Sequence, residues 1–283
     1  MSISASQVKE LREMTGVGMM ECKKALVETD GDLEKAVDLL RSNSALKAEK
    51  KASRVAADGM LVIHQDQTSV SVVEINTETD FAAKDEKFQT FCNNIKDHLA
   101  KNAINNVEEL NEAFASEREA LVQAIGENIQ IRRMVKISDG SSIGTYLHTD
   151  GKLAAIVSID SNDNELARDL AMHIAASNPY CVTADQVDQE LIARERAIYE
   201  AQAAESGKDP SIMEKMIEGK LNRFLSEITL VSQPFVKNPD QTVQALLSEK
   251  SASVVSMSRI KVGEGIEVEK KDFAAEVAEQ LQS

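Results

Sequence analysis

The four histidines, His64, His98, His148 and His173, are scattered, and none stands at a spacing that pairs it with a second metal ligand or with a nucleophile. His64 falls in a β-rich run and His98 and His173 in helical ones, where packed or surface roles are the simple reading. His148 ends a strand beside the Thr149-Asp150-Gly151 turn, where a side chain either faces a partner or merely closes the turn. Cys22, Cys92 and Cys181 are odd in number and isolated, which fits a reducing compartment and no zinc or disulfide framework. Gly16-Val17-Gly18 lacks a third glycine and follows a helix, and Gly263-Glu264-Gly265 has no Lys-Ser/Thr after it, so both read as turns rather than phosphate cradles. Carboxylates are so numerous that a pair of them says nothing about acid-base catalysis. The expectation is a chain that is not an enzyme, with no cofactor and no metal site.

One segment asks for more than a structural role. Thr77-Glu78-Thr79-Asp80-Phe81-Ala82-Ala83-Lys84-Asp85 lies between a strand and a helix. Thr79 or Asp80 is a normal helix cap, which puts Phe81 in the first turn. A large aromatic there either staples onto its own core or projects into another molecule, and periodicity does not choose between the two.

The elements that position these residues change character along the chain. Residues 4–42 read as three short helices, the first opened by Ser4 with Gln7 three positions on and stopped at Thr15-Gly16. The third, capped by Asp32, carries Leu33, Ala36, Val37 and Leu40 on one face, and Cys22, Ala25 and Leu26 of the second supply its partner. Residues 44–54, rich in Ala, Lys, Glu and Ser without an apolar stripe, read as a solvated helical linker. From Gly59 the period becomes two: Met60–His64 and Thr68–Asn76 form a hairpin, followed by a helix on Phe88, Phe91, Cys92, Ile95 and Leu99, a second over about 107–125 stopped by Gly126, and a strand at 129–137. The order then recurs with a hairpin at 143–147 and 153–160, helices at 166–177 and 243–249, and a strand at 252–262. This pseudo-repeat gives two related α+β subdomains. The second is interrupted by an antiparallel helical hairpin on Val187, Leu191 and Ile198, then Met213, Met216, Ile217, Leu221, Phe224 and Leu225. Its apolar stripes either pack on each other or serve a partner, self-association included. Phe273, Val277 and Leu281 lie on one face of a C-terminal helix.

The domain organisation is therefore 1–54, three-helix domain and linker; 55–140, first core subdomain; 141–262, second core subdomain with the hairpin inserted at about 181–228; and 263–283, a C-terminal helical module. With 42% hydrophobic and 28% charged residues the 283-residue chain is an ordinary globular one, and 4% aromatics with ten Met argue for helices packed through small, flexible side chains. Its net charge of −15 repels phosphate backbones and anionic lipid, so neither direct nucleic-acid binding nor membrane binding is expected. The charge is uneven: residues 1–54 carry ten basic and nine acidic side chains. No run of 18 apolar residues occurs, and Met1 leads into Ser-Ile-Ser-Ala-Ser without a signal pattern, so a cytoplasmic protein is expected.

Thr79-Asp80-Phe81-Ala82-Ala83-Lys84 resembles the Thr-Asp-Phe-Val-Ala-Lys signature of the elongation factor Ts family, and Thr15-Gly16-Val17-Gly18-Met19-Met20-Glu21-Cys22-Lys23-Lys24-Ala25-Leu26 resembles its amino-terminal signature. Ala56-Ala57-Asp58-Gly59, Ile125-Gly126-Glu127-Asn128, Met172-His173-Ile174-Ala175-Ala176, Gln233-Pro234-Phe235 and Asp272-Phe273-Ala274-Ala275-Glu276 extend the resemblance over essentially the whole chain. It implies a ubiquitin-associated-like three-helix domain, two related α+β subdomains, an inserted helical hairpin and a C-terminal helix. It also implies an exchange factor that binds elongation factor Tu, GDP-bound and nucleotide-free. By that resemblance Thr79, Asp80, Phe81 and Ala82 bind the partner and dislocate its magnesium ion, Phe81 wedging between two of its helices. Ile125, Gly126 and His148 match positions beside the wedge, and Lys9, Arg12, Met19 and Met20 match an amino-terminal docking surface. Ala82 stands where the family more usually has Val, which trims apolar contact next to the wedge. A scaffold that leaves nucleotide affinity unchanged and an enzyme with a diffuse site are the alternatives, separated by the GDP off-rate and by turnover of a small molecule.

Overall fold

The computed structural model describes residues 3–205 and 209–268; the expected C-terminal helix at 271–281, and Gly207 and Lys208 of the Gly207-Lys208-Asp209-Pro210 turn, lie outside the described residues. The chain opens with helices α1 (Ala5–Thr15), α2 (Met19–Glu28) and α3 (Leu33–Lys51). Ser4 and Gln7 form the reciprocal cap of α1, and Asp32 accepts from the Lys35 amide at the start of α3. Val8, Leu11, Val17, Cys22, Ala25, Leu26, Ala36 and Leu40 make the core of this bundle.

The helix α3 does not give way to a solvated linker. It runs unbroken to Lys51, and Ala36, Leu40, Ser44 and Ala48, each four residues after the last, are buried along one side. Ala48 joins the hydrophobic core of the first sheet layer, and α3 packs along α7 (Ala115–Ile125). Ser and Ala add little to a hydropathy pattern, yet their small size lets two helix backbones approach closely; the expectation of a linker failed for that reason.

Strands β1 (Asp58–Gln65) and β2 (Val70–Thr77) come next, with Asp66 accepting from the Thr68 and Ser69 amides in the turn between them. After them come α4 (Asp80–Ala83), α5 (Glu86–Lys101), α6 (Val107–Ala113), α7 and β3 (Gln130–Ile137). The sheet order is β1-β2-β3, and every residue of the central β2 is buried, as a strand covered on both faces requires. The single helix expected over 107–125 is two, broken at Phe114, whose backbone leaves the helical region at φ −108°, ψ 11°. The break lets the Phe114 ring bury edge-on against Phe91 at 5.8 Å and against His98 at 5.2 Å.

The same order of elements recurs in β4 (Ser142–Leu147), β5 (Leu153–Ile159), α8 (Asn164–Ser177), α9 (Gln189–Ala204), α10 (Pro210–Ile228), the short pair β6 (Pro234–Phe235) and β7 (Asn238–Thr242), α11 (Val243–Glu249) and β8 (Val254–Lys261). This sheet runs β4-β5-β8, again with the second strand in the middle. Helix α8 lies so close to β4 that a Cβ on Gly144 would fall 2.1 Å from the Ala167 carbonyl, so only glycine fits there. Helices α9 and α10 pack on each other, burying Ala203 and Ile217 while Ile198 and Ile212 stay exposed. Val187 is buried ahead of α9 rather than within it.

The chain divides into two compact units. The described residues up to Val62, Val73–Met134 and those from Lys261 on form one; Ile63–Val72 and Val135–Ile260 form the other. No helix among the described residues is long and apolar enough to cross a membrane.

Candidate functional site

In the first unit the segment after β2 is built around Thr79. Its extended backbone caps α4, and its Oγ1 accepts from the Ala82 amide at 3.2 Å. Helix α4 is one turn long, and Ala82 and Ala83 are both turned inward at 4% exposure. Phe81 therefore projects outward, 81% exposed, the most exposed of the large hydrophobic residues described. Of the two fates open to this ring, stapling onto its own core is excluded. Asp80 stands beside it at the start of the turn, with Lys84 Nζ donating to its Oδ2 at 2.7 Å, a hydrogen bond that raises the Lys84 pKa. Ala82, by contrast, meets its own chain's interior.

A second segment is laced to the first. Helix α7 ends at Gly126, in the left-handed conformation at φ 93° that glycine adopts without strain. The next residue, Glu127, accepts three hydrogen bonds: from Thr77 Oγ1 at 3.0 Å, from the Thr79 amide at 2.9 Å, and from Thr79 Oγ1 at 2.7 Å. Glu78 returns the contact by accepting from the Asn128 amide at 2.6 Å, and it pairs with Arg54 at 3.5 Å. Asn128 Nδ2 donates to the Ala52 and Arg54 carbonyls, and Lys51 Nζ donates to the Gly126 carbonyl. Desolvation lowers the Lys51 pKa, and the neighbouring Arg54 acts in the same direction. Ile125 is half-buried against the core of the sheet layer. The structure thus brings Thr79, Asp80, Phe81 and Ala82 into one frame with Ile125 and Gly126, joined to the end of α3.

On the three-helix bundle of the same unit, Lys9 and Arg12 are exposed on α1, Lys9 lying 3.7 Å from Glu13. Met19 and Met20 open α2 at 50% and 68% exposure, and the loop before them is held by Lys87 Nζ donating to the Gly16 carbonyl at 2.9 Å. His148 belongs to the second unit, in the turn after β4, with its Nδ1 3.0 Å from Asp150 Oδ1.

Two carboxylates with clear supporting roles had no individual signal in the sequence. Glu127 is one; Glu74 is the other. Glu74 is fully buried in β2 and takes hydrogen bonds from Asn76 Nδ2, Arg132 Nη1, Arg133 Nε and the Gly263 amide. Burial pushes its carboxyl up, but the Gly263 amide, Arg133 and Asn76 outweigh burial and hold it below 4.5. His173 is buried between Gln233 and the Val236 amide, a structural role. Among the described residues no three His, Cys, Asp or Glu side chains gather as metal ligands.

A sequence profile described as Elongation factor TS matches residues 78–264. The chain is 51% identical to an Elongation factor Ts of Hahella chejuensis, with 99% of each chain covered. It is 48% identical to that of Thioalkalivibrio sulfidiphilus, with 99% of each covered, and 49% identical to that of Teredinibacter turnerae, over 99% of this chain and 98% of the relative. With a profile match over most of its length and relatives near half identity from end to end, the chain belongs to the elongation factor Ts family.

Proposed function

We propose that the chain is a guanine nucleotide exchange factor: it binds elongation factor Tu in its GDP-bound form, disturbs the magnesium and phosphate site, and promotes GDP release so that GTP can bind. The observation that carries this reading is Phe81, exposed on a capped and hydrogen-bonded turn where nothing of its own core claims it. In the proposal Phe81 and Asp80 enter the GTPase beside its nucleotide site, while Thr79 and Ala82 hold the turn that presents them. Ile125, Gly126 and His148 contact the partner beside the wedge, and Lys9, Arg12, Met19 and Met20 dock the amino-terminal bundle. The work is done in the cytoplasm, where translation takes place.

Exchange needs no catalytic residue of its own. It requires only that factor and GDP each weaken the other's hold on the GTPase, a coupling that is reciprocal. Burying one phenylalanine ring contributes about 2 kcal/mol, which is part of what fast release demands, so the docking surfaces must supply the rest. A magnesium ion that neutralises a diphosphate is among the largest charges in such a site, and a small displacement there weakens nucleotide binding strongly.

The test is release of a fluorescent GDP analogue from magnesium-loaded elongation factor Tu, alone, with the wild-type chain, and with Phe81→Ala. The wild-type chain accelerates release and Phe81→Ala loses most of the acceleration. No acceleration by the wild-type chain sinks the exchange reading; full acceleration by Phe81→Ala removes the wedge.

A further inference from the structure

We propose that Glu127 is the positioning residue of the exchange turn: its carboxylate fixes the direction in which Phe81 points. The inference rests on the exchange reading above and adds to it a residue that never needs to touch the partner. Helix α4 has four residues and a single turn, too short to hold its own geometry in water, so its orientation must be imposed from outside. Two things impose it. Its own Ala82 and Ala83 are buried, which sets its depth but, as small methyl contacts, leaves it free to roll. Its rotation is set at Thr79, where the chain turns out of the strand.

At Thr79 the hydrogen bonds form a relay. Glu127 Oε1 accepts from Thr79 Oγ1 at 2.7 Å, which turns that oxygen's lone pairs toward the helix, where it accepts from the Ala82 amide at 3.2 Å. Glu127 Oε2 accepts from the Thr79 amide at 2.9 Å and from Thr77 Oγ1 at 3.0 Å, fixing the backbone on both sides of Glu78. Three donors on one carboxylate are charge-assisted bonds, the stronger kind. Glu127 is itself held, because Gly126 before it receives Lys51 and the amide of Asn128 after it is taken by Glu78. An amide in place of the carboxylate is uncharged and has one acceptor oxygen; its N–H groups can be taken only by a threonine hydroxyl that reverses its role, which breaks the charge-assisted set around Thr79.

The experiment measures fluorescent GDP release from elongation factor Tu as a function of factor concentration for wild type, Glu127→Gln, Thr79→Val, Phe81→Ala and the Glu127→Gln/Phe81→Ala double variant. Glu127→Gln is expected to lower the maximal release rate about tenfold while the half-saturating concentration moves by less than about threefold, since Lys9, Arg12, Met19 and Met20, which dock the amino-terminal bundle, are untouched. Thr79→Val, which removes the relay from its other end, gives the same split. If Glu127 acts through Phe81, the double variant is no slower than Phe81→Ala alone. A wild-type maximal rate in Glu127→Gln overturns the proposal, and so does a double variant whose losses multiply. Amide hydrogen exchange of the free proteins supplies a readout that does not depend on the partner: the Thr79 and Ala82 amides exchange at least about tenfold faster in Glu127→Gln. Unchanged amide exchange overturns the positioning role even where release is slowed. If the wild-type chain accelerates nothing, the exchange reading fails, and amide exchange alone decides what Glu127 holds.

Discussion

Phe81 and Glu74 are opposite cases of one principle: what a side chain is worth depends on what surrounds it. Phe81 buries little of its ring in the folded chain, so Phe81→Ala is expected to leave the unfolding free energy from urea titration within about 0.5 kcal/mol of wild type, while the proposed exchange activity is expected to be lost. Loss of both would mean the ring is part of the core after all. Glu74, wholly buried with two arginines and a backbone amide on it, carries its weight in the fold. Because its folded-state carboxyl titrates below the ordinary value of 4.5, its contribution is fully present above that value and is lost as pH falls through it toward the folded-state pKa. Glu74→Gln is expected to cost about 3 kcal/mol at pH 7, since it removes the buried charge that Arg132 and Arg133 share. It also flattens the acid limb below about pH 4.5, which urea midpoints measured across pH would reveal. An acid limb of unchanged steepness would assign the pH dependence to other groups.

Helices and strands carry predictions of their own, because they fail where their packing is tight. Helix α3 is a structural rod with one small-residue side against α7. Ala48→Glu places a charge in that seam and is expected to destabilise by about 3 kcal/mol, whereas Ala45→Glu, on the exposed side of the same helix, stays within about 0.5 kcal/mol. Equal effects in thermal melts would restore the solvated linker. Between β4 and α8, Gly144→Ala forces a backbone shift and is expected to cost about 3 kcal/mol in denaturant unfolding. The strands, the hairpin turns and most helix ends were legible in the sequence because their causes are local. Ser4 with Gln7, Asp32 and Gly126 act on residues within a turn of themselves. The break at Phe114 was not legible, because its reward is a ring contact with Phe91 and His98, distant along the chain.

A net charge of −15 belongs to the whole chain, and its effect on polyanions does not depend on any one contact. Binding to single- or double-stranded RNA at 0.15 M salt is expected to be weaker than about 0.1 mM by filter retention, with no tightening as salt is lowered. Salt-sensitive binding at micromolar RNA would reveal a basic surface that the net charge conceals. The repeated order of two strands, helices and a closing strand was visible as a pattern in the chain, and both sheets place the second strand centrally. The inserted helical pair was visible too, but not which of its apolar residues, Ala203 and Ile217 rather than Ile198 and Ile212, would be covered.

Residue order alone determined the class of fold, most of the caps and turns, and the place of Phe81 in a first helical turn between a strand and a helix. All of these depend on neighbours a few positions apart, where backbone geometry dictates what meets what. The direction of Phe81, the burial of Ser44 and Ala48, and the roles of Glu74 and Glu127 were decided only by tertiary structure. Thr79 and Glu127 are 48 residues apart, and Glu74 and Gly263 are 189 apart. No periodicity reaches across such separations; the acceptors that hold these donors exist only once the chain has folded around them.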